Sequence, residues 1–155
     1  MNTPAQLASH FRQVHFGGNW SVSNVKDNLA GIPWEQAVKK IDSFNSIAAL
    51  VFHMNYFVSA VNKVFQGEPL QAHDKYSFDL PPIRSQDDWE QLVNKTLQDA
   101  ELFASLVEAL PESKLSEDFS EQKYGSYFRN ILGIIEHVHY HLGQIALLKR
   151  ATREE

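Results

Sequence analysis

The chain has 155 residues, a formal charge of −5 and no cysteine. That length suits one globular domain with a core large enough to fold without staples, so residues 1–155 are expected to form one domain. The missing thiols exclude disulfides, cysteine nucleophiles and thiolate metal ligands together. Lysine and arginine number 14 against 19 acids, and no basic run is longer than Lys39-Lys40, which argues against nucleic acid as a partner. The opening MNTPAQLASHFRQ has no apolar signal core, and no stretch approaches the roughly 20 apolar residues of a membrane span. These features predict a cytoplasmic protein that does not engage a membrane.

Thr3-Pro4 reads as an N-cap with proline at the first helical position; Leu7, Phe11 and Val14 follow at helical spacing up to Gly17-Gly18. A second block runs from about Ser21 to Ala30, and Pro33 opens a third, Trp34 to Ile41. Residues 45–66 carry the first strong pattern: Asn45 or Ser46 can cap it, and Ile47, Leu50, Val51, Met54, Val58 and Val61 repeat at helical period before Gly67 and Pro69. Residues 70–84 read as a loop with Pro81-Pro82. Ser85-Gln86-Asp87-Asp88 resembles a capping box for a helix reaching about Leu110. A polar segment, 112–124, leads to a last helix over about 126–150. No strand alternation or hairpin signal appears. The expected fold is all-α, an antiparallel four-helix bundle with short extra N-terminal helices.

Seven histidines are many for this length, and His137, His139 and His141 fall within five residues. The alternation suggests a strand, but Ile131, Ile134, Ile135, Val138, Leu142 and Ile145 form one helical stripe. On that helix His137 and His141 stack one turn apart, while His139 and Glu136 point elsewhere. Two imidazoles at i, i+4 can share one divalent ion. A third ligand must come from another helix, and His53, set among core-type residues, is the candidate. The alternatives are a hydrogen-bonded core histidine at 53 and a chance surface pair at 137 and 141. His10, His15 and His73 lack paired spacing and read as surface or loop residues; His139 reads as facing solvent or an interface.

Other motifs narrow the chemistry. A zinc-protease H-E-x-x-H would need glutamate where Val138 stands. Glu136 and His139 make one E-x-x-H, without the second copy a di-iron site requires. The phosphate-loop, dinucleotide and Gly-x-Ser-x-Gly signatures are all missing.

With these residues in view, the chain resembles the DinB-like superfamily of bacterial four-helix metal proteins, which includes the YfiT-like thiol transferases. The similarity is carried by Gly17-Gly18-Asn19-Trp20-Ser21-Val22, by Leu29-Ala30-Gly31-Ile32 with Ala37, and by Asn45-Ser46-Ile47 before His53. It continues through Asp88-Trp89 and the run from His137 to Ile145, which is close to the family's H-x-x-x-H-x-x-Q-I.

The resemblance implies an up-down-down-up arrangement, a homodimer, and a metal triad of His53, His137 and His141. It implies one divalent ion, nickel or zinc foremost, with iron or manganese as further options. It also implies chemistry on a small-molecule thiol and an electrophile, the ion lowering the pKa of a thiol or of water. A metal-dependent hydrolase and a non-catalytic, stress-related metal-binding dimer are the alternatives. Gln144 is expected either to orient His141 or to face a partner helix, and Tyr56 either to offer a hydroxyl near His53 or to pack in the core. Trp20 and Trp89 are candidates for the pocket mouth.

Overall fold

The computed structural model describes residues 2–153. The described residues are helical, with six α-helices: α1 Thr3–Phe16, α2 Val25–Leu29, α3 Trp34–Val38, α4 Ile47–Phe65, α5 Gln86–Glu108 and α6 Tyr127–Ala151. In place of strands they show one isolated bridge, between Asp118 and Ser126. The four long helices close a ring of contacts: α4 packs on α5, α5 on α1, α1 on α6, and α6 on α4.

Short polar side chains start each long helix by accepting an otherwise unpaired backbone N–H. Asn2 rather than Thr3 caps α1, accepting from Ala5 at 3.0 Å, so Pro4 falls one position further in than expected. Ser46 caps α4 and Ser126 caps α6. At α5, Ser85 accepts from Asp88 N–H, whereas Asp88 reaches back to Arg84 N–H at 2.9 Å, one residue earlier than a capping box requires.

The second block is shorter than its pattern suggested. The Asn19 carboxamide donates to the Gln13 and Ser23 carbonyls and accepts from Ser23 N–H, tying residues 19–23 into a turn. Helix resumes only after the Asn24 cap. The 112–124 segment is more ordered than its polarity suggested. It holds two 3-10 turns, Glu112–Ser116 and Gln122–Tyr124, and buries Leu115 and Phe119.

The stripes read from the sequence form the core. Phe11 and Val14 of α1, Ile47, Val51 and Met54 of α4, and Ile131, Val138 and Ile145 of α6 are fully buried. The Phe11 and Phe103 rings meet at 4.2 Å across α1 and α5, each such ring contributing about 2–3 kcal/mol by burial. By length and composition α4 could cross a bilayer, contrary to the expectation that no stretch comes near. Its most apolar window is instead 67 % buried within the fold.

His15 corrects the expectation of a surface residue. It lies four residues after Phe11 on the same face of α1, is 1 % exposed, and packs its ring 4.4 Å from that of Phe11. Its Nδ1–H donates to the Phe11 carbonyl at 3.2 Å.

A candidate metal centre between two helices

α4 presents His53 two turns after its cap, and α6 presents His137 and His141 one turn apart. The two helices pack so that the three rings converge. His137 Nε2 lies 3.1 Å from His53 Nε2 and 3.0 Å from His141 Nε2. Bonds of about 2.0–2.1 Å to one ion put two ligand nitrogens about 3.0–3.4 Å apart for right-angled to tetrahedral coordination. The three histidines can therefore hold a metal ion with little movement, one ligand atom from each lying within 4.8 Å of the others.

Hydrogen bonds behind two rings aim their lone pairs at this point. Ser77 spends its hydroxyl proton on the Asp74 carbonyl at 2.7 Å, so its oxygen accepts from His53 Nδ1–H at 2.9 Å. His141 Nδ1–H donates to Gln144 Oε1 at 2.7 Å. Both rings thus carry their proton on Nδ1 and leave Nε2 bare, as a metal-ligating histidine requires. His137 sits between two acceptors, so in the metal-free protein its Nε2–H is shared between them. Its Nδ1 is buried without a partner. A cation binding here must displace that proton, which couples loading to pH.

Burial, and then the neighbouring His141 and His53, push the His137 imidazole down to about 4. Burial and His141 lower His53. Burial lowers His141 as well, with the Gln144 hydrogen bond opposing it. All three shifts favour the neutral ring, the form that donates to a metal. His141 is buried at 7 % exposure, whereas His53 and His137 are half-buried, so one side of the cluster reaches solvent.

Aromatic rings fix the flanks. Phe78 stacks on His53 at 4.0 Å, nearly parallel. The Phe57 ring stands edge-on to both His53 and His137, and Tyr140 stands edge-on to His141.

Of the other residues singled out from sequence, Gln144 is on His141, the first of its two expected roles. The Tyr56 hydroxyl accepts from His73 N–H at 3.0 Å, so it pins the loop after α4 and is not turned to the triad. Trp20 is 97 % exposed in the turn after α1 and has no ring contact with the histidines. Trp89 is buried with its indole N–H on the Ile32 carbonyl, and the surface groove it lines with Leu29 and Pro33 includes none of the three histidines. His139 lies half-buried beside His10 of α1, ring centroids 6.3 Å apart.

Sequence reasoning missed Ser77, Phe78 and Phe57. Phe57 carries a weak signal, one turn after His53 on the same face. Ser77 and Phe78 lie more than twenty residues away in a loop, where spacing says nothing. Comparison of the chain with family models, with curated proteins and with solved structures returns no match.

Proposed function

We propose that this protein is a divalent-metal-dependent enzyme of the DinB-like type, in which the four long helices form an antiparallel up-down-down-up bundle. The observation that carries the proposal is the convergence of three histidine Nε2 atoms, two of them fixed as acceptors by Ser77 and Gln144. A structural histidine needs one hydrogen-bond partner. Three neutral imidazoles crowded onto one point, each depressed in pKa, are what a cation would relieve.

Imidazole donors suit nickel, zinc and iron, and the DinB-like resemblance puts nickel and zinc foremost, with iron or manganese after them. When bound, such an ion supplies a Lewis acid that lowers the pKa of a coordinated thiol or water. His53, His137 and His141 hold it, Ser77 and Gln144 orient two of the rings, and Phe57, Phe78 and Tyr140 restrict solvent around them. Three protein ligands leave positions open for a reactant, the pattern of catalytic sites more than of closed structural ones.

The reaction best supported is transfer of a small-molecule thiol to an electrophile. The chain has no cysteine of its own, so the thiol comes from a cosubstrate. A homodimer completes the proposal, by the same DinB-like resemblance. The half-exposed edges of His53 and His137 favour an enzyme over a closed metal-binding protein.

Elemental mass spectrometry on untagged protein purified without chelator is the test. About one nickel, zinc, iron or manganese per chain, lost in both His53→Ala and His137→Ala, supports the centre. An unchanged trace content in all three proteins, with failed reconstitution, sinks it. Turnover that requires an added thiol then separates the transferase from a hydrolase, which would need none.

A further inference from the structure

A groove of about 1010 Å³ runs beside the triad between α4, α6 and the loops around residues 72–75 and 119–124. It lies at the upper end of the roughly 300–1,000 Å³ typical of small-molecule pockets. Its walls are largely apolar, with Phe57, Val61, Phe119, Phe128 and Leu132 among them. Four lining residues tie the groove to the metal centre. Phe57 is shared, because its ring also touches His53 and His137. Gly133 and Glu136 on α6 lie one turn and one residue before His137. Asp74 lines the groove while its carbonyl holds Ser77, which in turn holds His53.

Two features give the groove a direction. Gly133 stands in the interior of a 25-residue helix, where glycine costs about 1 kcal/mol relative to alanine. A Cβ built there meets nothing within 4 Å, so packing does not demand glycine; a side chain would instead project into the groove. The second feature is Arg129, at the far end in the first turn of α6. Its guanidinium donates to the neutral Tyr124 carbonyl at 2.9 Å, and among the described residues it has no carboxylate partner. That first turn contains no acid, although helix N-termini favour negative charge. Toward the triad the groove carries Asp74 and Glu136, while Lys75 lies over the Tyr76 ring. Arg129 is thus the anchor the groove offers an anion at that end, while at the other end Asp74 and Glu136 offset the attraction a bound ion would exert on one.

We infer that this groove binds an amphipathic carboxylate: its carboxylate on Arg129, its apolar body over Gly133, and its reacting group at the opposite end, past Phe57 at the triad. This rests on the metal-centre proposal for the identity of the reacting end. Arg129 and His137 are eight residues apart on one helix, so about 12 Å separates the two ends.

The probe is decanoate, with decanol as its uncharged analogue, titrated by calorimetry into the zinc-treated protein. Decanoate is expected to bind more tightly than decanol. Arg129→Gln should weaken decanoate about tenfold, the value of a charge-assisted hydrogen bond, and leave decanol unchanged. Gly133→Leu should abolish both, while Gly133→Ala, which fits the helix, keeps measurable binding and reports on folding. Metal content should be the same in all three variants. Equal affinity for the two probes, or decanoate binding indifferent to Arg129→Gln and Gly133→Leu, overturns the inference.

Cobalt(II) then reports direction. Proton signals at the methyl end of bound decanoate should broaden more than those beside the carboxylate, and His53→Ala should remove the effect. Broadening strongest at the carboxylate end, or absent from cobalt-loaded protein, refutes the link to the triad. A protein that takes up no cobalt refutes the metal centre, and the calorimetry still decides the groove.

Discussion

His15 and the triad are two solutions to burying histidine in one small protein. Both use neutral imidazoles, and burial pushes His15 and His137 each down to about 4. The surroundings then diverge. His15 is closed in by Phe11 and Phe16 and satisfied by the Phe11 carbonyl, and His139 acts on it only as a minor electrostatic influence beside burial. At the triad three rings meet nitrogen to nitrogen, and the outer nitrogens of His53 and His141 are handed to Ser77 and Gln144. A depressed pKa therefore does not identify a site here. Convergence of lone pairs, with partners behind them, does.

Exchanging the two losses gives the largest contrast. His137→Ala should take metal content from about one ion per chain to none and, with both proteins compared metal-free, cost little in unfolding free energy. His15→Ala should leave metal content unchanged and destabilise the fold by about 3 kcal/mol, as a large-to-small change in a packed core does. Elemental analysis and urea unfolding of the two variants check this together. Metal loss in His15→Ala without unfolding would erase the distinction.

Acid should affect both regions, with a sign the shifts dictate. Histidines whose folded pKa is depressed bind fewer protons in the native state than in the unfolded one. Their stabilisation is present above about pH 6.5 and is lost as pH falls toward about 4. At about 1.4 kcal/mol per unit, His15 alone supplies up to about 3 kcal/mol of that loss. Urea unfolding of metal-free protein at pH 7.0, 5.5 and 4.5 (values set roughly across this window) should show stability declining, with a shallower decline in His15→Leu. Metal retention should hold to about pH 5 and fail nearer 4, where protons compete for Nε2.

The smaller effects sharpen the role of the outer partners. Gln144→Leu and Ser77→Ala should each weaken metal binding about 10–100-fold without removing a ligand. Competition titration with a chelating dye measures this, and an unchanged affinity in both would reduce the two hydrogen bonds to packing. Phe78→Ala should have the mildest effect, a few-fold loss, because it frees the His53 ring without altering its tautomer.

Much of this was legible along the chain. The stripes on α1, α4 and α6 announced themselves by period, and so did the stacking of His137 over His141, because helical geometry alone places residues four apart on one face. His53 was legible only as a histidine among core residues. Nothing local distinguishes a ligand there from His15, and the two expectations parted on that point: His53 met two other histidine rings nitrogen to nitrogen, whereas His15 was buried against Phe11 and its carbonyl. Trp89 read as a rim residue because aromatic side chains give no sign of which interior they enter. The 112–124 segment read as featureless because Leu115 and Phe119 are too few to make a period.

What local sequence could decide was periodicity and capping, since both depend on residues within a turn or two: where the long helices lie, which faces are apolar, and which histidines share a helix edge. Contacts across distant segments lay beyond it. Ser77 reaches His53 only because the loop after α4 folds back, pinned by Tyr56 on His73 N–H. The groove exists only because α6 runs beside α4 with Gly133 facing the gap. Chain spacing carries no information about such pairs. Their geometry is set when the four long helices pack, and packing is a property of all the buried side chains together.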